Sequence, residues 1–165
     1  MSVLSAGLLA YRPVVSSSDG SSGLEVLIAH MGGPFWQRKD AGAWTIPKGE
    51  YDPAGESPLE AARREFREEL GIDPPGGTVI DLGSFAASRK SITVFAVDGS
   101  GLDISHPVFG EFELEWPPRS GKVASFPEID RVEWMHLAFA AEKLTASQRP
   151  ALTALAAALG TRGVS

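Results

Sequence analysis

The stretch Ser57 to Gly71, SPLEAARREFREELG, constrains the fold more than any other part of the chain. Ser57 is a favoured N-cap, Pro58 suits the first helical position, and Glu60 stands where a capping box closes. Gly71 accepts a left-handed C-cap cheaply, so a helix of about four turns is expected. Leu59, Ala62, Phe66 and Leu70 share one face and can pack on a sheet. Glu65, Glu68 and Glu69 stand at offsets of three and four, within about a third of the helix circumference. Like charges this close destabilise an isolated helix. A solvated charged face, with Arg64 pairing locally to Glu60 or Glu68, is the plain reading. The glycine-rich stretch ahead of the helix favours the other, a metal site. Clustered carboxylates without Cys or His suit Mg²⁺ or Mn²⁺.

Composition narrows the class. A chain of 165 residues suits one domain, 1–165, with a real core. It has no cysteine, which excludes disulfides and thiolate metal sites. Its net charge of −6 gives no support for binding a nucleic acid backbone, and an anionic small molecule must meet local positive charge or metal. No apolar run is long enough to span a membrane, and the start lacks a leader pattern, so a cytoplasmic location is the default expectation. The oligomeric state is open.

From Gly49 to Ile72 the sequence resembles the Nudix box of the Nudix hydrolases, G-x5-E-x7-R-E-U-x-E-E-x-G-U. Glu56, seven further residues, and then Arg64-Glu65-Phe66-Arg67-Glu68-Glu69-Leu70-Gly71-Ile72 fit that pattern. One departure is that six residues, not five, separate Gly49 from Glu56. The Asp52-Pro53-Ala54-Gly55 turn is where such an insertion is cheapest. The resemblance implies an α/β fold, an α/β/α sandwich with a mixed sheet. It implies metal-dependent hydrolysis of a phosphoanhydride bond in a nucleoside diphosphate derivative. Glu65, Glu68 and Glu69 are then the metal-holding carboxylates, aided by a backbone carbonyl near Lys48 or Gly49. Glu56 and Arg64 pair to hold the loop against the helix. A further metal-binding Glu is implied at Glu128, with Glu111, Glu113 and Glu115 as rivals. A nucleotide-sensing module without turnover is an alternative, against which the intact glutamates count. A prenyl diphosphate isomerase on this fold would need a reactive cysteine.

Strands are expected at Ser2–Tyr11, ended by Arg12-Pro13, and at Leu24–His30, with a flexible hairpin loop Ser16–Gly23 between them. Met31–Trp44 is glycine-rich and aromatic. It is either an ordinary excursion or a loop over the site, with Phe35 or Trp36 on a base and Arg38 or Lys39 on phosphate. Trp44–Gly49 reads as one short strand. Its Pro47-Lys48-Gly49 resembles Nudix members acting on dinucleoside polyphosphates and diphosphoinositol polyphosphates, with Lys48 on a phosphate. Val79–Phe85 and Ser91–Val97 read as strands turning at Arg89-Lys90. Phe109–Gly121 reads as an edge strand with Glu111, Glu113 and Glu115 on its open face. Ser125–Leu137 reads as a loop and strand ending in a structural His136. Helices are expected at Ala138–Leu144 and Ser147–Leu159, the second capped by Ser147.

Overall fold

The computed structural model describes residues 3–15 and 22–160. The expected hairpin loop lies outside them, except that Ser22 and Gly23 belong to the second strand. Among the described residues the strands are β1 (Val3–Val15), β2 (Ser22–Met31), β3 (Trp44–Thr45), β4 (Lys48–Glu50), β5 (Val79–Ala87), β6 (Lys90–Asp98), β7 (Glu111–Glu115), β8 (Val123–Pro127) and β9 (Ile129–His136). The helices are α1 (Pro58–Leu70), α2 (Leu137–Lys143) and α3 (Arg149–Leu159), with a 3-10 turn over Ala146–Gln148 before α3. None of the described helices is long and apolar enough to cross a membrane.

The main sheet orders β3-β2-β1-β6-β5, with β4 also on β1 and β9 on β2. Among the described strands β1 and β6 pair in parallel and the other pairs of this sheet are antiparallel, so the sheet is mixed, as expected. Alternation along β1 and β2 separates two cores. Leu8, Ala10, Leu27 and Ala29 face α1, while Leu9, Val26 and Ile28 face α2 and α3. Helices on both faces make the α/β/α sandwich.

Helix α1 forms where its ends predict. The Ser57 side chain accepts from the Glu60 amide, the Glu60 side chain accepts from the Ser57 amide, and Gly71 caps the far end at φ 65°. Ala61, Ala62, Phe66 and Leu70 are buried, and Leu59 packs against them. Phe66 is completely buried, so Phe66→Ala should cost about 3–5 kcal/mol in a urea melt. A loss under about 1 kcal/mol would show that this ring does not join helix to sheet.

Several boundaries differ from the sequence reading. Strand β1 runs through Arg12-Pro13 to Val15. Its pairing with β6 stops at Tyr11, so Pro13 needs no N–H on that side. The expected single strand at 44–49 is two, because Pro47 interrupts it: β3 pairs with β2 and β4 with β1. The glutamate-alternating segment is not an edge of the main sheet. It pairs with Val123–Pro127 as a separate hairpin, and Glu111, Glu113 and Glu115 are exposed on it as expected. Ser147 is not a cap, since it sits inside the 3-10 turn. Gln148 turns inward there, accepting from the Ile46 amide at 2.7 Å and donating to Thr45 Oγ1 at 3.0 Å.

Candidate active site

The acidic side of α1 lies against β4 and the 108–110 segment. Glu69 Oε2 accepts from the Lys48 amide at 3.2 Å. Glu65 rests directly on Gly49, where any Cβ would overlap its carboxylate. Gly110 packs beside the Glu68 carbonyl and the Glu128 carboxylate, at 3.4 and 3.8 Å from where its own Cβ would stand. The Glu128 amide in turn donates to the Gly110 carbonyl at 2.8 Å. Glu65, Glu68, Glu69 and Glu128 therefore share one neighbourhood, with Gly49 as its floor.

Arg64 organises the near side. Its Nε and Nη2 donate to Glu56 at 2.6–3.1 Å, while Nη1 donates to Glu65 at 2.8 Å and Glu68 at 3.1 Å. The Glu56 pairing ties the loop to the helix as the box implies. The local alternative holds for Glu68 but not for Glu60, which is spent on the helix cap. The loop absorbs its extra residue in a tight turn, with Gly55 and Glu56 amides on the Asp52 carbonyl and the Ala54 amide on the Asp52 side chain.

Burial and mutual repulsion load this site electrostatically. Burial pushes the Glu69 carboxyl up to about 8 against the nearby Lys48 charge, and Glu65 and Glu128 push the same way. Burial raises Glu65 as well, opposed by Arg64 and reinforced by Glu68 and Glu128. Glu56 foremost, then Glu65, hold the Arg64 guanidinium more firmly protonated than usual.

As they stand, no three acidic or histidine side chains among the described residues form a ready metal cage. Glu65 and Glu68 are engaged by Arg64, and Glu69 by a backbone amide. The chemistry still fits a hard divalent cation. The donors are all oxygen, two of the carboxylates are pushed up by burial and like charge, and the Lys48 charge opposes the shift at Glu69. Glu65, Glu68, Glu69, Glu128 and the carbonyl of Gly49 are the groups that would hold it.

Other candidates lie apart. Glu111, Glu113 and Glu115 stay on the open face of the hairpin, where Glu115 accepts from the Arg119 amide. Phe35 is 57% exposed, whereas Trp36 packs against the core under α2 and α3 with Lys39 over its ring. Arg38 is exposed. Lys48 also lines a cavity of about 50 Å³ together with Ser5, Lys90 and Gln148. His136 ends β9 and accepts from the Ala138 amide, a structural part.

Two features had no signal in the sequence. The 31–44 loop is pinned by the fully buried His30, whose ring nitrogens meet Asp130 Oδ1 at 2.7 Å and the Lys39 carbonyl at 2.6 Å. Asp40 holds the same loop to Lys143 and to the Trp44 indole. His30 and Asp130, and Asp40 and Lys143, are each about a hundred residues apart, beyond any local pattern.

The NUDIX domain model matches residues 13–155. A mouse bis(5'-nucleosyl)-tetraphosphatase (asymmetrical) is 35% identical over 49% of this chain and 50% of its own. An RNA pyrophosphohydrolase of Francisella tularensis is 41% identical over 33% of this chain and 36% of its own. The chain thus spans half or less of the curated relatives it matches. A C. elegans Ap4A hydrolase structure superposes with TM-score 0.63 at 23% identity, covering 96% of this chain and 98% of that one. The NUDIX domain of Shewanella oneidensis NrtR, solved with ADP ribose, gives 0.58 at 16% identity over 98% and 90%. Both structures share the fold of this sheet and its helices. With the box, the buried carboxylates and a domain match over most of its length, the chain belongs to the Nudix family.

Proposed function

We propose that this chain is a cytoplasmic pyrophosphohydrolase that cleaves a phosphoanhydride bond in a nucleoside diphosphate derivative, using Mg²⁺ or Mn²⁺. Nudix hydrolases generally use divalent metal ions. Bound among these carboxylates, such an ion supplies charge neutralisation and a more acidic water. The observation that carries the reading is the carboxylate cluster on Gly49, tied by Arg64, in which burial first and like charge second push Glu65 and Glu69 toward protonation.

The residues divide the work. Arg64 and Glu56 fix the loop, so that the Gly49 carbonyl and Glu65 keep their relative place. The buried Glu69 and the partly buried Glu65 provide sites where a proton from the attacking water can rest; no single base is assigned among Glu65, Glu68 and Glu69. Lys48, whose charge acts on Glu69, supplies positive charge for a phosphate in a chain of net negative charge.

For the substrate we favour a dinucleoside polyphosphate such as diadenosine tetraphosphate. Pro47-Lys48-Gly49 and the likeness to the mouse tetraphosphatase support this. A nucleoside triphosphate pyrophosphohydrolase is the alternative. A sensor without turnover is the third reading, and nothing has removed the glutamates it could lose. Steady-state kinetics on diadenosine tetraphosphate and on single nucleoside triphosphates decides the preference. The expected result is a larger kcat/KM for the dinucleotide; an equal or smaller one overturns it.

A further inference from the structure

We propose that Phe35 and Trp116 together receive a base of the nucleotide substrate, so that the aromatic partner of the site is Trp116 and not Trp36. The inference rests on the nucleotide-hydrolase reading above. Phe35 is 57% exposed and stands edge-to-face on Trp116, with ring centroids 5.4 Å apart at 84°. Such a pair leaves ring surface open to a third ring, and nucleobases stack on aromatic faces irrespective of sequence. Trp36 is engaged elsewhere. Lys39 lies 5.3 Å over its ring, and the ring packs on the core beneath α2 and α3.

The pair is continuous with the carboxylate cluster by two routes. The Gly32 amide donates to the Glu128 carbonyl at 2.9 Å, and Phe35 follows three residues later, within about 10 Å of chain. Gly33, at φ 88°, lies so close to the Phe112 ring that a Cβ would come within 2.8 Å of it. On the hairpin side, Phe112 meets Gly33 and Trp116, one residue past β7, meets Phe35. The hairpin base is fastened to the site by the Glu128 amide on the Gly110 carbonyl. Loop and hairpin thus form one wall that begins at Glu128 and ends in two rings.

Charge supports the same occupant. Arg38, three residues beyond Phe35, is exposed and makes no ion pair or hydrogen bond among the described residues. It is a free cation for a phosphate attached to the stacked nucleoside. Glu111, Glu113 and Glu115 occupy the opposite, exposed face of the hairpin from Trp116, so they do not line the wall.

The test compares wild type with Trp116→Ala, Phe35→Ala, Trp116→Phe and a control, Phe139→Ala, which removes an exposed aromatic from α2. ADP binding is measured by calorimetry, and KM and kcat are measured with diadenosine tetraphosphate and with inorganic tripolyphosphate. Trp116→Ala and Phe35→Ala should each weaken ADP about tenfold or more and raise KM for the dinucleotide alike, the loss of one stacked base. kcat and the base-free substrate should stay near wild type, Trp116→Phe should recover most of the binding, and Phe139→Ala should change nothing. Equal ADP binding by Trp116→Ala and wild type overturns the inference. So does an equal loss on tripolyphosphate. Wild type that binds ADP through Trp116 but hydrolyses nothing overturns the hydrolase reading alone.

Discussion

Glu69→Gln and Glu68→Gln should each lower turnover by at least about a hundredfold while the circular dichroism spectrum is kept. Each removes a carboxylate charge from the cluster and almost no volume. Even groups that only support metal ligands cost about 10–100-fold when lost. The two variants should differ in stability. The Glu68 side chain is 58% exposed, so its loss is nearly silent in a melt. Glu69 is pushed up to about 8 by burial. A carboxyl whose pKa is higher in the folded state than in the unfolded chain binds its proton more tightly when folded. It therefore costs stability as pH rises from the ordinary carboxylate range, near 4.5, through about 8. In chelator at pH 8, Glu69→Gln should melt above wild type, and the gap should close toward pH 4.5. Near-normal activity in both variants at saturating Mg²⁺ would remove these residues from the site.

Gly49→Ala should have the second-largest effect, through geometry and not charge. A methyl at Gly49 overlaps the carboxylate of Glu65. What it meets is the far end of a side chain, so the helix need not move; Glu65 swings away and Arg64 loses one partner. The expected cost in stability is about 1 kcal/mol, at the mild end for an overpacked site. Activity should fall about tenfold to a hundredfold, since displacing a reacting group by about 1 Å can cost that much. A Gly49→Ala enzyme with wild-type kcat and KM would mean that Glu65 on Gly49 plays no part in the chemistry.

The sequence was most legible where structure is local. Ser57, Glu60 and Gly71 each act within one turn, and the helix ends where they stand. Phe66 and Leu70 were readable as the buried stripe because four-residue spacing repeats on a helix. Glu56 with Arg64 was readable only through the resemblance, since the residues are eight apart across a loop. Pro13 misled because a strand tolerates proline once one side is unpaired, and pairing is not local information. For the same reason Val123–Pro127 gave no sign of closing a hairpin with Glu111–Glu115. The aromatics of the 31–44 loop could not be sorted either. Whether Phe35 or Trp36 stays open depends on Lys39, α2, α3 and Trp116, which meet only in the fold.

The central claim is that the carboxylate side of α1 drives metal-dependent cleavage of a nucleotide phosphoanhydride. Its most direct test is chromatographic product analysis of wild type with diadenosine tetraphosphate and nucleoside triphosphates. Parallel reactions contain millimolar Mg²⁺, Mn²⁺ or excess chelator. The account predicts nucleotide products with either cation, almost none in chelator, and recovery when Mg²⁺ is restored. Cleavage undiminished by the chelator, or none of these substrates cleaved under any condition, would contradict it.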